Sequence, residues 1–304
     1  MEHRVSLYAD DLLLFIENPL ATIPNIITIL ENFSSFSGYK LNYQKSICFP
    51  VNPLATQLKQ TDLPFLLSQS GFKYLGVNIT RSYKMLLSAN FSQLVSQTKN
   101  DLQRWNKLPL TLTGRINTVK MTILPKFLYL FQTIPIFLPK SFFQNLNKLI
   151  SSFIWADRRP RINMRLLQEQ KTDGGLALPN FQYYHWAANT HKLLYWFHSS
   201  QSSWSTIEEK SCKGTSLSAL LCSPYPSASA SRYSKNPIVL ASLKCWFQFR
   251  RHFKFSSAST LGPVSLNHLF PPSLIDTAFS QWKMKGLKSI SDLYHDGYFS
   301  TLNS

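Results

Sequence analysis

The stretch Val5-Ser6-Leu7-Tyr8-Ala9-Asp10-Asp11-Leu12-Leu13-Leu14-Phe15-Ile16 decides how the first part of the chain folds. Two short apolar runs flank one small and two acidic residues, and this pattern is typical of a β-hairpin with carboxylates at its tip. We expect the apolar flanks to be buried and the two carboxylates to reach solvent.

The Asp10-Asp11 pair is a candidate site for a divalent cation. Hard cations such as Mg²⁺ take oxygen ligands, and proteins usually hold Mg²⁺ through one or two carboxylates together with substrate phosphates. Because side chains alternate between the two faces of a strand, the two aspartates point in different directions. We therefore expect Asp10 to be the direct ligand and Asp11 to be an indirect or weaker one. A solvated turn without a metal is the alternative interpretation of such a pair.

The composition indicates a folded and strongly basic protein. The chain has 304 residues, 44% of them hydrophobic, which is enough for one large domain or two ordinary ones. Its 32 Lys and Arg outnumber 15 Asp and Glu, and between residues 86 and 200 we count fourteen against four. A net charge of +17 favours a polyanionic partner. Nucleic acid is the leading candidate, and a membrane surface is the weaker alternative.

Signals for membrane insertion, export and zinc binding are not apparent in the sequence. No run approaches eighteen uncharged apolar residues, and the first four residues lack the layout of a signal peptide. The four cysteines are irregularly spaced without a C-x-x-C pair, which is typical of reduced thiols rather than a zinc site. We expect an intracellular protein, in the nucleus or the cytoplasm, that binds no membrane. The sequence leaves its oligomeric state open.

Hydrophobic periodicity predicts an α+β protein in four parts. Residues 1–85 combine strands with a helix over residues 19–36, and residues 86–199 are mainly helical. The serine-rich residues 200–236 have few core-forming positions, so we expect a flexible linker there. Residues 237–304 are predicted to form a small, poorly ordered helical region.

Local signals refine the helical second part. We expect Pro125 to kink or end one helix, because proline lacks a backbone N–H. Ser141 is a candidate cap for the helix that follows Pro139. A tight turn at residues 173–175 is predicted to lead into a short strand over residues 176–178, followed by a helix over residues 181–198.

Six motifs occur in the order found in one protein family. They read LYADDLLLFIENP (7–19), SGYKLNYQKS (37–46), FKYLGVNITR (72–81), RWNKLPLTLTGRINTVKMTILPKFLYLFQTIPIFLP (104–139), FIWADRRPRI (153–162) and DGGLALPNFQYYHWA (173–187). Over residues 3–199 the chain resembles the reverse transcriptases of non-LTR (LINE-type) retrotransposons, and most closely their second open reading frame protein. The resemblance implies an RNA-directed DNA polymerase, with part of the polymerase palm in residues 1–85 and a helical thumb in residues 86–199.

The resemblance assigns roles to matching positions near the metal. Asp10 and Asp11 fall on the catalytic hairpin, where the first aspartate and one from an earlier strand hold two Mg²⁺ ions for an in-line displacement. Tyr8 matches the aromatic residue beside the primer terminus. Lys45 in Asn42-x-x-Lys45 matches a lysine near the leaving pyrophosphate, where a cation suits the developing charge. An ordinary solvated lysine is the alternative for Lys45.

Residues 72–77 match the primer-grip hairpin of the family. Tyr74, Leu75 and Gly76 are its candidate contacts, and Gly76 is expected to let backbone approach backbone at the turn. Core filling is the alternative for Tyr74 and Leu75.

The thumb of the family clamps an RNA–DNA hybrid by its phosphates without reading sequence, which requires lysines and arginines on one face. The candidate phosphate contacts are Arg115, Lys120 and Lys126, with Arg158, Arg159 and Arg161 as a second group. For each of these residues, simple solvation is the alternative. We expect Trp105, Trp155 and Trp186 to anchor the core rather than to stack on bases.

The hairpin begins at residue 3, so we expect the fingers and the earlier palm strand with its aspartate to be missing from this chain. Asp62 and Glu31 are the candidate replacements for that aspartate. One hypothesis is a truncated reverse transcriptase that is inactive alone. The second is a non-catalytic module that binds RNA or RNA–DNA hybrid. Translation of a degenerate element without a selected role is a third.

Overall fold

The computed structural model describes residues 5–52, 55–197, 202–222, 231–255, 262–265, 267, 280–295 and 298–299. It divides the chain into two compact units, Met1–Ala89 and Asn90–Ser304. The first unit combines short strands with one long helix, and the second is mainly helical, so the predicted α+β class is confirmed. The division follows residue 89, whereas we predicted a boundary after residue 85.

The first unit is built from six short strands and one long helix. They are β1 Val5–Tyr8, β2 Asp11–Leu14, α1 Pro19–Ser37, β3 Ile47–Cys48, β4 Leu66–Leu67, β5 Gly71–Tyr74 and β6 Val77–Thr80. The pairs β1–β2 and β5–β6 are antiparallel and β3–β4 is parallel. No described strand joins these pairs into a larger sheet.

The amino-terminal hairpin forms as predicted, but its strands are exposed. Val5 pairs with Leu14 and Tyr8 pairs with Asp11. Leu7 is 72% exposed and Tyr8 is 63% exposed. The expectation of a buried hairpin is therefore wrong for the described residues, because a two-stranded ribbon with no third strand or covering helix leaves both faces open to water.

Helix α1 follows the predicted bounds closely, and both of its ends are capped. The Asn18 side chain accepts a hydrogen bond from the Ala21 amide at 3.5 Å, and Gly38 ends the helix with a left-handed φ of 77°. Its apolar residues differ in burial: Ile23 is buried, whereas Phe33 is 45% exposed. The pattern thus predicted the helix correctly, while its apolar face is only partly covered.

Among its described elements, the second unit contains ten α-helices, a π-helical turn and one short hairpin. They are α2 Gln93–Asn106, α3 Leu112–Thr118, α4 Leu124–Thr133, α5 Lys140–Ile154, α6 Met164–Gln168, α7 Phe181–Phe197, α8 Ser203–Lys210, α9 Leu217–Cys222, α10 Pro237–Phe253, α11 Ser280–Met284, the π-helical turn Val119–Ile123, and the strands β7 Tyr294–His295 and β8 Tyr298–Phe299. Aromatic rings fill much of its core. Phe91 lies 6.0 Å from Phe131 and Phe127 lies 5.4 Å from Phe181, measured between ring centroids of fully buried side chains.

Two local predictions in this unit are wrong, and a third holds in part. Pro125 does not end the helical run, because α4 continues to Thr133, but the π-helical turn Val119–Ile123 interrupts the regular α-helix directly before it. Helix α5 begins at Lys140 after Pro139, so Ser141 lies inside the helix rather than at its cap. Residues 176–178 form no strand; their amides instead donate to the carbonyls of Leu167 and Glu169. The turn at residues 173–175 is present, with Gly174 at a φ of 80°.

The prediction of a flexible linker over residues 200–236 is wrong for residues 202–222. This segment forms α8 and α9, and Leu217, Leu220 and Leu221 pack into a core with residues of α7 and α10. The serines cap helices rather than loosen the chain: Ser216 Oγ accepts from the Ala219 amide at 3.2 Å. The region predicted to be small, helical and poorly ordered, residues 237–304, begins with the helix Pro237–Phe253. Its residues 256–261, 266, 268–279, 296–297 and 300–304 lie outside the described residues.

In the described parts of the chain, no helix combines the length and the apolar composition needed to cross a membrane.

Candidate functional site

The two aspartates of the hairpin lie at its tip, as predicted. Asp10 lies in the two-residue turn with Ala9, whose φ is 51°, and Asp11 opens β2 opposite Tyr8. Both carboxylates are exposed to solvent. Two adjacent exposed carboxylates have the oxygen donors that Mg²⁺ prefers, and substrate phosphates can complete its coordination.

The described residues bring no further acidic side chain into a cluster with this pair. No group of three or more His, Cys, Asp or Glu residues forms a potential metal site in those parts of the chain. Asp62 caps a short 3₁₀ turn, where its Oδ2 accepts from the Lys59 amide at 3.2 Å. Glu31 is exposed on α1. Neither candidate replacement therefore joins the hairpin pair in a three-carboxylate site.

Lys45 lies on a turn that Asn42 organises. The Lys45 amide donates to the Asn42 side-chain oxygen at 3.1 Å, and the Ser46 amide donates to the Asn42 carbonyl at 3.0 Å. The strand that follows this turn, β3, is confined to Ile47–Cys48. The Lys45 side chain is exposed, so its predicted role beside pyrophosphate stays a prediction.

The primer-grip-like hairpin joins β5 to β6 through Leu75 and Gly76. Both residues have positive φ, 45° and 79°, which is the geometry of a tight type I′ turn. Glycine suits position 76 because it adopts this left-handed backbone conformation without steric strain. Tyr74 and Leu75 are half-buried, which is compatible with both of their predicted roles. A close backbone approach occurs instead at Gly71, where a Cβ atom would overlap the Ile79 carbonyl oxygen.

Arg115 is held inside the second unit. Its side chain is 7% exposed; Nη1 donates to Asn106 Oδ1 at 2.6 Å and to the Phe153 carbonyl at 2.8 Å. Nε donates to the Leu110 carbonyl at 3.3 Å, and the guanidinium lies 5.0 Å from the centre of the Phe153 ring. Within the described residues Nη2 has no partner. Most of this guanidinium therefore fastens α3 to the end of α5.

The two lysines predicted to bind phosphate have protein partners. Lys120 Nζ donates to the Leu176 carbonyl at 3.2 Å. Lys126 Nζ lies 2.9 Å from Asp101 Oδ2, and Asp101 also pairs with Arg104 at 3.1 Å. These pairs lie near the surface, where an ion pair contributes little, so Lys126 remains accessible to a phosphate.

The turn after α5 carries three arginines on an unusual backbone. Ala156 and Asp157 have φ values of 49° and 60°, a conformation that costs free energy for residues other than glycine. The turn is held by Asp157, whose amide donates to the Ser152 carbonyl at 2.8 Å and whose carboxylate accepts from Asn106 Nδ2 at 2.6 Å. Asn106 also accepts from Arg115, so one hydrogen-bond chain links the buried guanidinium to this turn.

Arg158, Arg159 and Arg161 follow directly and are exposed. Among the described residues, their side chains make no hydrogen bond or ion pair. They line a cavity of about 690 Å³, which we call the arginine cavity. Its lining residues are Leu110, Leu112, Arg115, Ile154, Trp155, Ala156, Arg158, Arg159, Pro160 and Arg161. Four of the predicted phosphate contacts thus come together at one place.

Trp155 is the cavity residue for which the sequence suggested another role. We expected a core anchor, and Trp186 is one, at 4% exposure. Trp155 is instead half-buried and lines the cavity between α5 and the arginines. Its place beside Arg158 and Arg159 in the sequence was the available signal, because aromatic and basic residues interleave in nucleic-acid sites.

Compared with models of known protein families, the chain matches none.

Proposed function

We propose that this chain is part of the reverse transcriptase of a non-LTR retrotransposon, and that it grips RNA or an RNA–DNA hybrid without polymerising alone. The motif order supports the family, and the gathering of four arginines around one cavity carries the binding proposal. A polyanion is the partner that matches such a surface, because phosphates meet guanidinium groups with two parallel hydrogen bonds.

The charge pattern of the second unit supports binding to phosphates rather than to an acidic protein patch of fixed shape. Arg158, Arg159 and Arg161 extend from a braced turn and have no carboxylate partner among the described residues. Neighbouring guanidinium groups without carboxylate partners suit the phosphates of a nucleic-acid backbone. Lys126, whose ion pair with Asp101 is close to the surface, can add a further contact.

The acidic hairpin of the first unit supports the polymerase ancestry. Asp10 and Asp11 would hold Mg²⁺ together with substrate phosphates, and the ion would stabilise charge that develops during phosphoryl transfer. A two-metal site shared by three carboxylates needs one more acidic side chain than this pair supplies. We therefore propose that polymerisation requires an aspartate from outside the described residues.

Binding is tested by fluorescence anisotropy with a labelled RNA–DNA hybrid and the full chain. The triple variant Arg158→Gln/Arg159→Gln/Arg161→Gln should bind at least about tenfold more weakly, because each lost charged hydrogen bond weakens the complex. Arg232→Gln is the matched control, since Arg232 is exposed and does not line the cavity. Equal affinities of the triple variant and the control would contradict the proposal.

Catalysis is tested by primer extension on an RNA template with Mg²⁺. We expect no extension by the full chain alone. Extension that is lost in Asp10→Ala would contradict the proposal that a further aspartate is needed, because the hairpin pair would then suffice.

A further inference from the structure

We propose that the arginine cavity holds a single unpaired nucleotide, with its phosphate at the arginines and its base against Trp155. This inference rests on the proposed nucleic-acid binding and goes beyond it, because it assigns base contact at one defined place. The alternative is a surface that meets phosphates only.

The size of the cavity favours a nucleotide over an isolated anion. Its volume of about 690 Å³ lies within the range of roughly 300–1,000 Å³ that organic ligands occupy in proteins. A phosphate ion would fill only a small part of that space. The base of a nucleotide is large enough to occupy much of the remaining volume, next to the apolar lining residues.

The cavity is lined by both charged and apolar residues. Arg158, Arg159 and Arg161 are exposed lining residues, and the buried Arg115 also lines the cavity. Leu110, Leu112, Ile154 and Trp155 supply the apolar part. A ligand that is anionic at one end and aromatic at the other satisfies both, and a nucleotide has this layout.

The backbone around Trp155 is braced for such a contact. The positive φ values of Ala156 and Asp157 turn the chain sharply between the indole and the arginines. The carboxylate of Asp157 accepts hydrogen bonds from Asn106 and Ser152, which hold the turn in place. Strained backbone that surrounding bonds maintain is common at binding sites, since the ligand then meets groups already in position.

A bound base must be unstacked to enter the cavity, so the occupant is single-stranded. An RNA strand and a DNA strand share this chemistry, and the experiment separates them. The probes are RNA and DNA 12-mers that each carry one 2-aminopurine, whose fluorescence is quenched when it stacks on an indole. The same RNA fully paired with DNA is the reference for phosphate contact alone.

We expect quenching with the single strands and none with the hybrid. Trp155→Ala should remove the quenching and weaken single-strand binding about tenfold, while Trp155→Phe should keep most of the affinity. Trp204→Ala is the matched control, because Trp204 is exposed and lies outside the cavity. Adenosine monophosphate should displace the probe, and the ribose or deoxyribose form that competes better identifies the strand.

Three results would overturn the nucleotide cavity: unchanged quenching in Trp155→Ala, displacement by inorganic phosphate as effective as by adenosine monophosphate, or equal displacement by a polyglutamate peptide. If Trp155→Ala does not fold, Trp155→Phe and Arg159→Gln/Arg161→Gln test the same contacts on a folded chain. Hybrid binding without any quenching or monophosphate effect contradicts this inference alone. If the native chain does not bind the hybrid at all, the result contradicts the proposed function instead.

Discussion

Replacing Arg115 with methionine tests whether this residue holds the second unit together. The change keeps an unbranched side chain of similar length and removes every hydrogen-bond donor. Arg115 donates to Asn106 at 2.6 Å and to the Phe153 carbonyl at 2.8 Å, and its third bond, to Leu110, is longer at 3.3 Å. Arg115→Met therefore removes two short hydrogen bonds and leaves their acceptors, Asn106 Oδ1 and the Phe153 carbonyl, without this donor.

The expected loss of stability follows from these bonds. A hydrogen bond from a charged donor contributes about 1.5–3 kcal/mol, and a buried acceptor left unpaired costs a similar amount. The methionine retains part of the contact with the Phe153 ring, and water can reach the Asn106 amide. We therefore expect Arg115→Met to lower the free energy of unfolding by about 3 kcal/mol.

Urea unfolding followed by circular dichroism measures this loss. Arg158→Met is the control, because it removes an exposed guanidinium and should change the free energy of unfolding by less than about 0.5 kcal/mol. If Arg115→Met unfolds within about 0.5 kcal/mol of the native chain, the hydrogen bonds of Arg115 do not stabilise the junction of α3 and α5.

Three further predictions concern the hairpin turn, a buried histidine and a surface ion pair. Gly76→Ala should lower the stability of the first unit by about 1 kcal/mol and Leu75→Asn should raise it, because both positions have positive φ; equal urea midpoints would contradict this. Burial lowers the pKa of His185 from its usual 6.5 to about 4. Between these two pH values the unfolded chain binds a proton at this residue and the folded chain does not. The free energy of unfolding should therefore fall as the pH drops from about 6.5 to about 4. His185→Gln should flatten that part of the pH curve, and parallel curves for both proteins would exclude His185 as its cause. Asp101→Asn should release Lys126 and strengthen hybrid binding at low salt by a few-fold, whereas no change in affinity would place Lys126 outside the interface.

Local patterns predicted the hairpins and the long helices well. The tip at Asp10 and the helix end at Gly38 depend on residues that are neighbours in sequence. Burial was harder to predict, because it depends on what other elements cover. The β1–β2 strands have the composition of a buried ribbon, yet no described strand or helix covers Leu7.

The candidate site was predicted in composition but not in geometry. Arg115 was expected to face phosphate, and its burial depends on a carbonyl at Phe153, 38 residues further along the chain. No periodicity within α3 could show that contact. Trp155 was expected in the core but lines the cavity instead. The positive φ values of the next two residues, which turn the chain there, are not predicted by periodicity.

The serine-rich segment over residues 202–222 was wrongly predicted to be a flexible linker, because its composition does not show which contacts its residues make. Ser202 and Ser216 add to a linker-like composition, yet both side chains are bonded at the start of a described helix. The Ser202 hydroxyl donates to Ser205 Oγ at 2.7 Å, and Ser216 Oγ accepts from the Ala219 amide at 3.2 Å. Leu217, Leu220 and Leu221 then supply the core contacts of that segment. Composition alone does not distinguish a capping serine from a solvated one.

The salt dependence of hybrid affinity tests the central claim, that the arginines after α5 bind phosphates. Affinity of the full chain should fall steeply as salt rises, because each phosphate contact releases counterions. The triple variant Arg158→Gln/Arg159→Gln/Arg161→Gln should reduce the slope of log K against log salt by about 3, one for each lost contact. A triple variant with the native slope, or a native chain whose binding is independent of salt, would contradict the claim.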